Sequence, residues 1–258
     1  MRFLQFVQQQ AGISRRNAKA LIEAGRVKLN GTLTQTPFVE IEPHKVSSLE
    51  VDGSKIRIQK LQIGVYKYYK PRGMLCSFKD PHHHHAMGKV LRRPELKGYK
   101  IVGRLDRDAE GLLLLTNDGS LLNHLAHPRY QIEKVYHVLV PKVLRYRQTY
   151  DSFRQMQDGI VDEGETLKIV RGNVLKRTNT STTLVMVLTE GKNHEVKRLC
   201  RRFGWYVKRL KRVEMGGVQL GKLKRGQLKK LLPEEIELLE KNVEQALNKL
   251  SSNRAKGK

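Results

Sequence analysis

Cysteine is scarce: Cys76 and Cys200 are the only two in 258 residues, and they lie far apart. Two cysteines make no disulfide framework, so a reducing compartment, the cytoplasm, is the expectation. Long apolar runs are missing as well; nothing approaches the roughly 20 residues that a spanning helix needs. The apolar stretch Phe3 to Val7 is too short for a secretory leader, and Gln8-Gln9-Gln10 follows it at once. Acidic residues are few, 25 against 50 Lys and Arg, which leaves a net charge of +25. Charge this one-sided calls for a polyanionic partner, and with no membrane segment that partner is a nucleic acid. Internal repeats and coiled-coil heptads are also absent. What remains is a chain with room for two domains and a sizeable core.

The rest of the chain is organised around Lys100 to Gly119. Two short apolar runs, Ile101-Val102 and Leu112 to Leu115, flank a polar loop, and Asn117-Asp118-Gly119 closes the stretch. Runs this short, bounded by Gly and Asn/Asp, predict buried strands. The loop Gly103-Arg104-Leu105-Asp106 is then anchored in rigid core at both ends, which suits a group that must keep one geometry. From spacing alone Asp106 fits a nucleophile, a general base, a metal ligand or a loop cap.

The residues themselves narrow this. Gly103-Arg104-Leu105-Asp106, followed by Gly111-Leu112-Leu113-Leu114-Leu115-Thr116-Asn117-Asp118-Gly119, closely resembles the signature of the pseudouridine synthases that act on bacterial ribosomal RNA. The similarity is to the subfamily with a small amino-terminal RNA-binding domain. Ala109 departs from it, since a small hydroxyl residue is usual there. The resemblance implies that Asp106 is the catalytic aspartate.

Residues 1–60 predict a compact unit. Phe3, Leu4, Phe6 and Val7 form a short amphipathic helix ended by Ala11-Gly12. Ser14 caps a second helix, with Ala18, Leu21 and Ile22 at helical spacing before Gly25 stops it. Val27-Lys28-Leu29, Asn30-Gly31 and Thr32-Leu33 predict a hairpin. This pattern resembles the αL-type RNA-binding domain, which grips structured RNA through its helix pair. By that resemblance Arg15, Arg16, Lys19 and Arg26 contact RNA, with phosphates as the natural partners of such side chains.

A second domain is expected over 61–232, beginning with the strand Val65 to Lys70. Tyr69 to Ser77 again resembles the enzyme family, whose Lys-Pro-x-Gly loop borders the active site. Four adjacent histidines, His82 to His85, predict an exposed loop, because neighbouring residues rarely converge on one metal. Ser120 to Ala126 predicts a helix and Ile132 to Val140 an alternating strand, while Phe153 to Val170 predicts a helix and strand. Tyr136 in that alternating strand, within Glu-Lys-x-Tyr, matches the family tyrosine that stacks on the target base.

Thr182 to Leu188 is a further strand, and Glu190-Gly191 to Lys197-Arg198 resembles the family's third motif. In the helix predicted there, Val196, Leu199, Cys200 and Phe203 share one face. At roughly 100° per residue, Lys197 falls on the edge of that face, and Arg198 points nearly opposite with Arg201 and Arg202 beside it. Lys197 is therefore expected to reach a partly buried site, while Arg198 and Arg201 face solvent or RNA. The basic residue that pairs with the aspartate in the family aligns with Lys197. From Lys197 to Lys230 thirteen Lys and Arg meet one acid, Glu214, which predicts a phosphate-binding surface. Leu210 resembles the residue that walls the base pocket. Pro233 begins a packing helix to about Leu250, within a final segment 233–258 whose end, from Ser251, is expected to be disordered.

The fold expected is α+β, with a mixed, mostly antiparallel sheet in the second domain. The activity implied by the resemblance is conversion of one uridine in ribosomal RNA to pseudouridine, in the large subunit by preference, by a monomer. That chemistry breaks and remakes a glycosidic bond on a flipped nucleotide and calls for no metal, nucleotide or redox cofactor. Arg104 would fill the gap left in the RNA. Two other readings are a non-catalytic RNA-binding assembly factor, and a hydrolase using Asp106 and Asp108 on a metal, for which no third acidic ligand is evident.

Overall fold

In the computed structural model, residues 2–58, 64–77 and 86–256 are described. The chain divides into two compact units, Met1–Ile63 and Gly64–Lys258. The junction expected at Lys60 and the His82–His85 run both lie outside the described residues.

The first unit contains α1 (Phe3–Ala11) and α2 (Arg15–Glu23), followed by β1 (Val27–Leu29), β2 (Thr32–Leu33), β3 (Leu49–Val51) and β4 (Ser54–Ile56). The side chain of Ser14 accepts a hydrogen bond from Asn17 N and caps α2. Gly12, at φ 67°, ends α1. The strands form an antiparallel sheet in the order β2-β1-β3-β4. Phe3, Phe6 and Val7 of α1 meet Ala18 and Ile22 of α2 over Val27 and Leu49, giving this unit its own core.

The second unit runs β5 (Val65–Lys70), α3 (Gly88–Leu91), β6 (Lys100–Val102), β7 (Glu110–Thr116), α4 (Gly119–Ala126) and β8 (Lys134–Val140). It continues with α5 (Tyr146–Asp158), β9 (Ile160–Asp162), β10 (Glu165–Leu167), β11 (Arg171–Arg177), β12 (Thr182–Leu188) and α6 (Glu195–Arg202). β13 (Arg209–Met215), β14 (Val218–Gln219), β15 (Leu228–Lys230) and α7 (Pro233–Lys256) complete it. Nine strands make one sheet, ordered β11-β12-β8-β13-β7-β5-β15 with β14 and β6 at the side. It is the mixed, mostly antiparallel sheet expected: β13 and β7 run parallel, through Lys211↔Glu110 and Arg212↔Gly111, while its other pairings are antiparallel.

Burial follows the pleat. β8 alternates buried and half-buried residues, and its buried face (Tyr136, Val138, Val140) packs in one cluster with Phe153 and Met156 of α5 and Val196 and Leu199 of α6. β7 is buried throughout because both of its faces are covered. Leu112 and Leu114 pack with Leu125 of α4 and Leu239 and Val243 of α7, whereas Leu113 and Leu115 pack with Met87 and Val90. The helix α7 is thus part of the second unit's core, and it extends through Lys256 where disorder from Ser251 was expected. Ser251 and Ser252 keep the helical path, their hydroxyls donating to Leu247 O and Asn248 O at 3.1 and 3.0 Å. A second departure concerns 153–170: the helix starts earlier, at Tyr146, and the strand is a hairpin, β9–β10, turning at Glu163 and Gly164 with φ 49° and 76°.

Candidate active site

The loop 103–109 leaves the sheet where two strands share one edge of β7. β6 occupies one end of that edge, pairing with Leu114 to Thr116, and β13 occupies the other, at Glu110 and Gly111. Parallel contact at Gly111 is close. Its φ is +109°, and a Cβ there would lie 2.2 Å from Arg212 O, so only glycine fits.

Beneath the loop lies Lys70, which is fully buried. Its ammonium donates to Ala109 O at 2.7 Å, Pro71 O at 3.2 Å and Arg107 O at 3.4 Å. Burial lowers its pKa, and nearby Cys76, Asp106, Asp108 and Glu110 offset part of that effect. Gly73 N donates to Arg107 O at 2.7 Å, and Leu105 N reaches Cys76 Sγ at 3.4 Å. The Lys-Pro-x-Gly segment therefore holds the loop backbone directly. Ala109 is buried and packs in the core cluster of α6.

Asp106 and Lys197 are brought together. The Lys197 ammonium lies 3.1 Å from Asp106 Oδ2 and 2.5 Å from Asp108 Oδ1. Burial works against the Lys197 charge, and the hydrogen bonds it donates to Asp108 and Asp106 outweigh it, so its pKa is raised. Burial likewise opposes the Asp108 carboxylate, and its bond to Lys197 lowers the pKa in spite of that. Both acids share one ammonium, and among the described residues no group of three His, Cys, Asp or Glu side chains could hold a metal ion.

Tyr136 and Leu210 are buried in the cluster that contains Leu105 and Val196, on the α6 side of the sheet. Arg104 is exposed on the loop. In the first unit Arg15 and Arg16 are exposed at the start of α2; Lys19 pairs with Glu23 at 3.4 Å and Arg26 with Asp52 at 2.5 Å. Beyond the site loop, buried Glu110 gathers positive charge from Arg209, and from Arg225 at 3.2 Å.

Arg198 is not where its place on the helix suggested. It is buried, its guanidinium bound to Asp162 Oδ2 at 2.6 Å and Glu165 Oε2 at 2.5 Å. Those acids come from the β9–β10 hairpin, which covers the side of α6 that the apolar pattern left for solvent. Arg198 is therefore an internal clamp between hairpin and helix. Arg201 stays exposed, although it pairs with Glu163 at 3.2 Å. An open cleft of ≈ 470 Å³ is bounded by His194, Lys197, Arg201 and Glu163.

One contact had no counterpart in the sequence reading. His194 Nδ1 lies 2.8 Å from Asp106 Oδ2. The available signal was only its place, three residues before Lys197 and directly ahead of the helix that carries it.

The sequence pattern of the family described as RNA pseudouridylate synthase matches residues 64–202, the stretch that carries this loop, Tyr136 and Lys197. The chain belongs to the RNA pseudouridylate synthase family. Relatives match nearly end to end. A protein from Aquifex aeolicus (strain VF5) called an uncharacterized RNA pseudouridine synthase is 34% identical over 244 residues, covering 94% of this chain and 95% of that one. Ribosomal large subunit pseudouridine synthase B of Bacillus subtilis (strain 168) is 34% identical over 247 residues, covering 93% and 96%. A crystal structure of a pseudouridylate synthase superposes with TM-score 0.60 at 26% identity, over 93% of this chain and 99% of that one. The pseudouridine synthase fold is thus the one described here, and the activity is pseudouridine formation in RNA. Among the described residues no helix is long and apolar enough to cross a membrane.

Proposed function

We propose that this chain isomerises a specific uridine of ribosomal RNA, in the large subunit, with Asp106 as the essential carboxylate. The observation that carries this reading is the 3.1 Å contact between Lys197 and Asp106 at the mouth of the loop. Lys197 places a positive charge beside a carboxylate whose every open role, nucleophile or base, uses its negative charge. The likeness to the Bacillus subtilis large-subunit enzyme over 93% of this chain supports the choice of subunit.

The target nucleotide is flipped out of the folded RNA, and Arg104 fills the space it leaves. The bond between N1 and C1′ breaks, the uracil turns, and C5 bonds to C1′; N1 gains a proton as C5 loses one, so the product is an isomer. Tyr136 stacks on the freed uracil, and Leu210 walls the pocket. Arg15, Arg16, Lys19 and Arg26 hold the RNA by its phosphates, together with Arg201 beside the cleft. Affinity then falls steeply with salt, as counterions are released on binding.

The test is chemical mapping of pseudouridine in rRNA treated with the wild type and with Asp106→Asn. Asparagine keeps the size of the side chain but is neither nucleophile nor base, so binding survives and modification stops. A mutant that still modified its target would remove Asp106 from the mechanism. A wild type that left every uridine unchanged, on naked rRNA and on assembly intermediates, would point instead to a non-catalytic assembly factor. The mapped position also decides between large- and small-subunit RNA.

A further inference from the structure

His194 is the nearer of the two donors on Asp106, at 2.8 Å against 3.1 Å for Lys197, and both meet the same oxygen, Oδ2. Lys197 is closer still to Asp108 Oδ1, at 2.5 Å, so its hold on Asp106 is divided. An aspartate tethered by one shared ammonium turns easily about its terminal torsion, which is broad and two-fold. Two donors converging on one oxygen remove that freedom. Among the described residues no hydrogen bond reaches Oδ1.

The ionised carboxylate only accepts, so Nδ1 of His194 carries a proton in this contact, and the 3.4 Å approach of Lys197 Nζ to the same nitrogen is not a hydrogen bond. The imidazole is delivered by unusual backbone. His194 precedes α6 with φ 50° and ψ 28°, the left-handed region that few residues other than Gly, Asn, Asp and His enter. Its side chain is half exposed, at 51%, on the edge of the cleft.

We propose that His194 is a positioning residue: with Lys197 it locks Asp106 by Oδ2, and Oδ1 is the oxygen that meets the ribose or the uracil. This rests on Asp106 being the reactive carboxylate. The alternative is that His194 simply touches RNA.

Three variants of the full chain separate these. His194→Gly keeps the left-handed backbone and removes the ring. His194→Asn also suits that backbone, and its amide N–H replaces the Nδ1 donor. In His194→Gln the amide lies farther out, where Nε2 was. Single-turnover pseudouridine formation and rRNA affinity are measured for each. Losing a hydrogen bond to a charged group should slow the glycine variant about 10- to 100-fold. Affinity should hold, the asparagine variant should recover most of the rate, and the glutamine variant should not. A glycine variant at the wild-type rate overturns the proposal, as does a loss confined to affinity, or an asparagine variant no better than glycine. 15N NMR of the imidazole needs no turnover and decides the contact even for an inactive wild type, which would count against the proposed function alone. A ring protonated at Nδ1 supports the proposal, and a ring protonated only at Nε2 overturns it.

Discussion

Replacing Glu195 by glutamine should stabilise the second unit in alkaline buffer and do little in acid. Glu195 opens α6, the helix that carries Lys197, and is 4% exposed. Its Oε2 accepts from Lys192 N at 3.1 Å, while Oε1 has no partner among the described residues. Burial pushes its carboxyl up from 4.5 to about 7; the bond from Lys192 N and the charges of Lys192 and Lys134 offset only part of this. A raised acid pKa means that the fold prefers the protonated form. Its contribution is therefore complete below 4.5 and is lost as pH rises through about 7. At 1.36 kcal/mol per tenfold in proton affinity, that loss is about 3 kcal/mol. Glutamine is neutral at every pH and its amide oxygen still accepts from Lys192. The two proteins should melt together near pH 5, and the variant should melt about 6–12 °C higher above pH 8. The fluorescence of Trp205, the single tryptophan, follows the second unit, because its ring is buried against Phe153 and Phe203 in the cluster that includes α6. A difference in melting temperature that did not vary with pH would refute the reasoning.

Lys197→Met removes the cation between Asp106 and Asp108, so single-turnover modification should fall at least about tenfold with rRNA affinity little changed; full activity would sink the electrostatic account. Arg198→Met should lower the melting temperature, since Asp162 and Glu165 lose their shared partner, while the salt dependence of RNA binding stays as it was. A flatter salt dependence would return Arg198 to the RNA surface. Gly111→Ala places a carbon 2.2 Å from Arg212 O, and should cost more than about 4 kcal/mol, read as loss of soluble, folded protein. A soluble alanine variant with unchanged melting would show that the strands part easily there.

The site loop was legible because its signals are local. Gly103 and Asn117-Asp118-Gly119 punctuate short apolar runs, and Lys197 sits where a helical count puts it. The same count misplaced Arg198. A helical wheel gives the direction of a side chain but not what lies there, and its acidic partners are 33 and 36 residues earlier in a hairpin. His194 left no mark in the apolar pattern, since it is polar, half exposed and placed by its own backbone angles. Lys70 read as a strand residue; its three backbone acceptors belong to a turn and a loop that only the folded chain brings over it. The parallel pairing of β7 and β13 lies at a sequence distance that no local signal spans.

That pairing also sets a clock. Arg212 Nε donates to Leu112 O at 2.8 Å across 100 residues of chain. A ribosome adding about 5–20 residues per second needs roughly 5–20 s to make that stretch. During this interval the Glu110 end of β7 has no neighbour on the edge that β13 will take, and His194 and the helix α6 with Lys197 are made only toward its end. An unpaired apolar edge is open to wrong partners. The first unit, with its own core from Phe3 to Val51, is complete well before this. Each newly made molecule therefore has a folded basic module some seconds before it has an assembled catalytic site. If that module holds RNA as proposed above, RNA bound in this interval stays unmodified until the last strand of the central pair is in place.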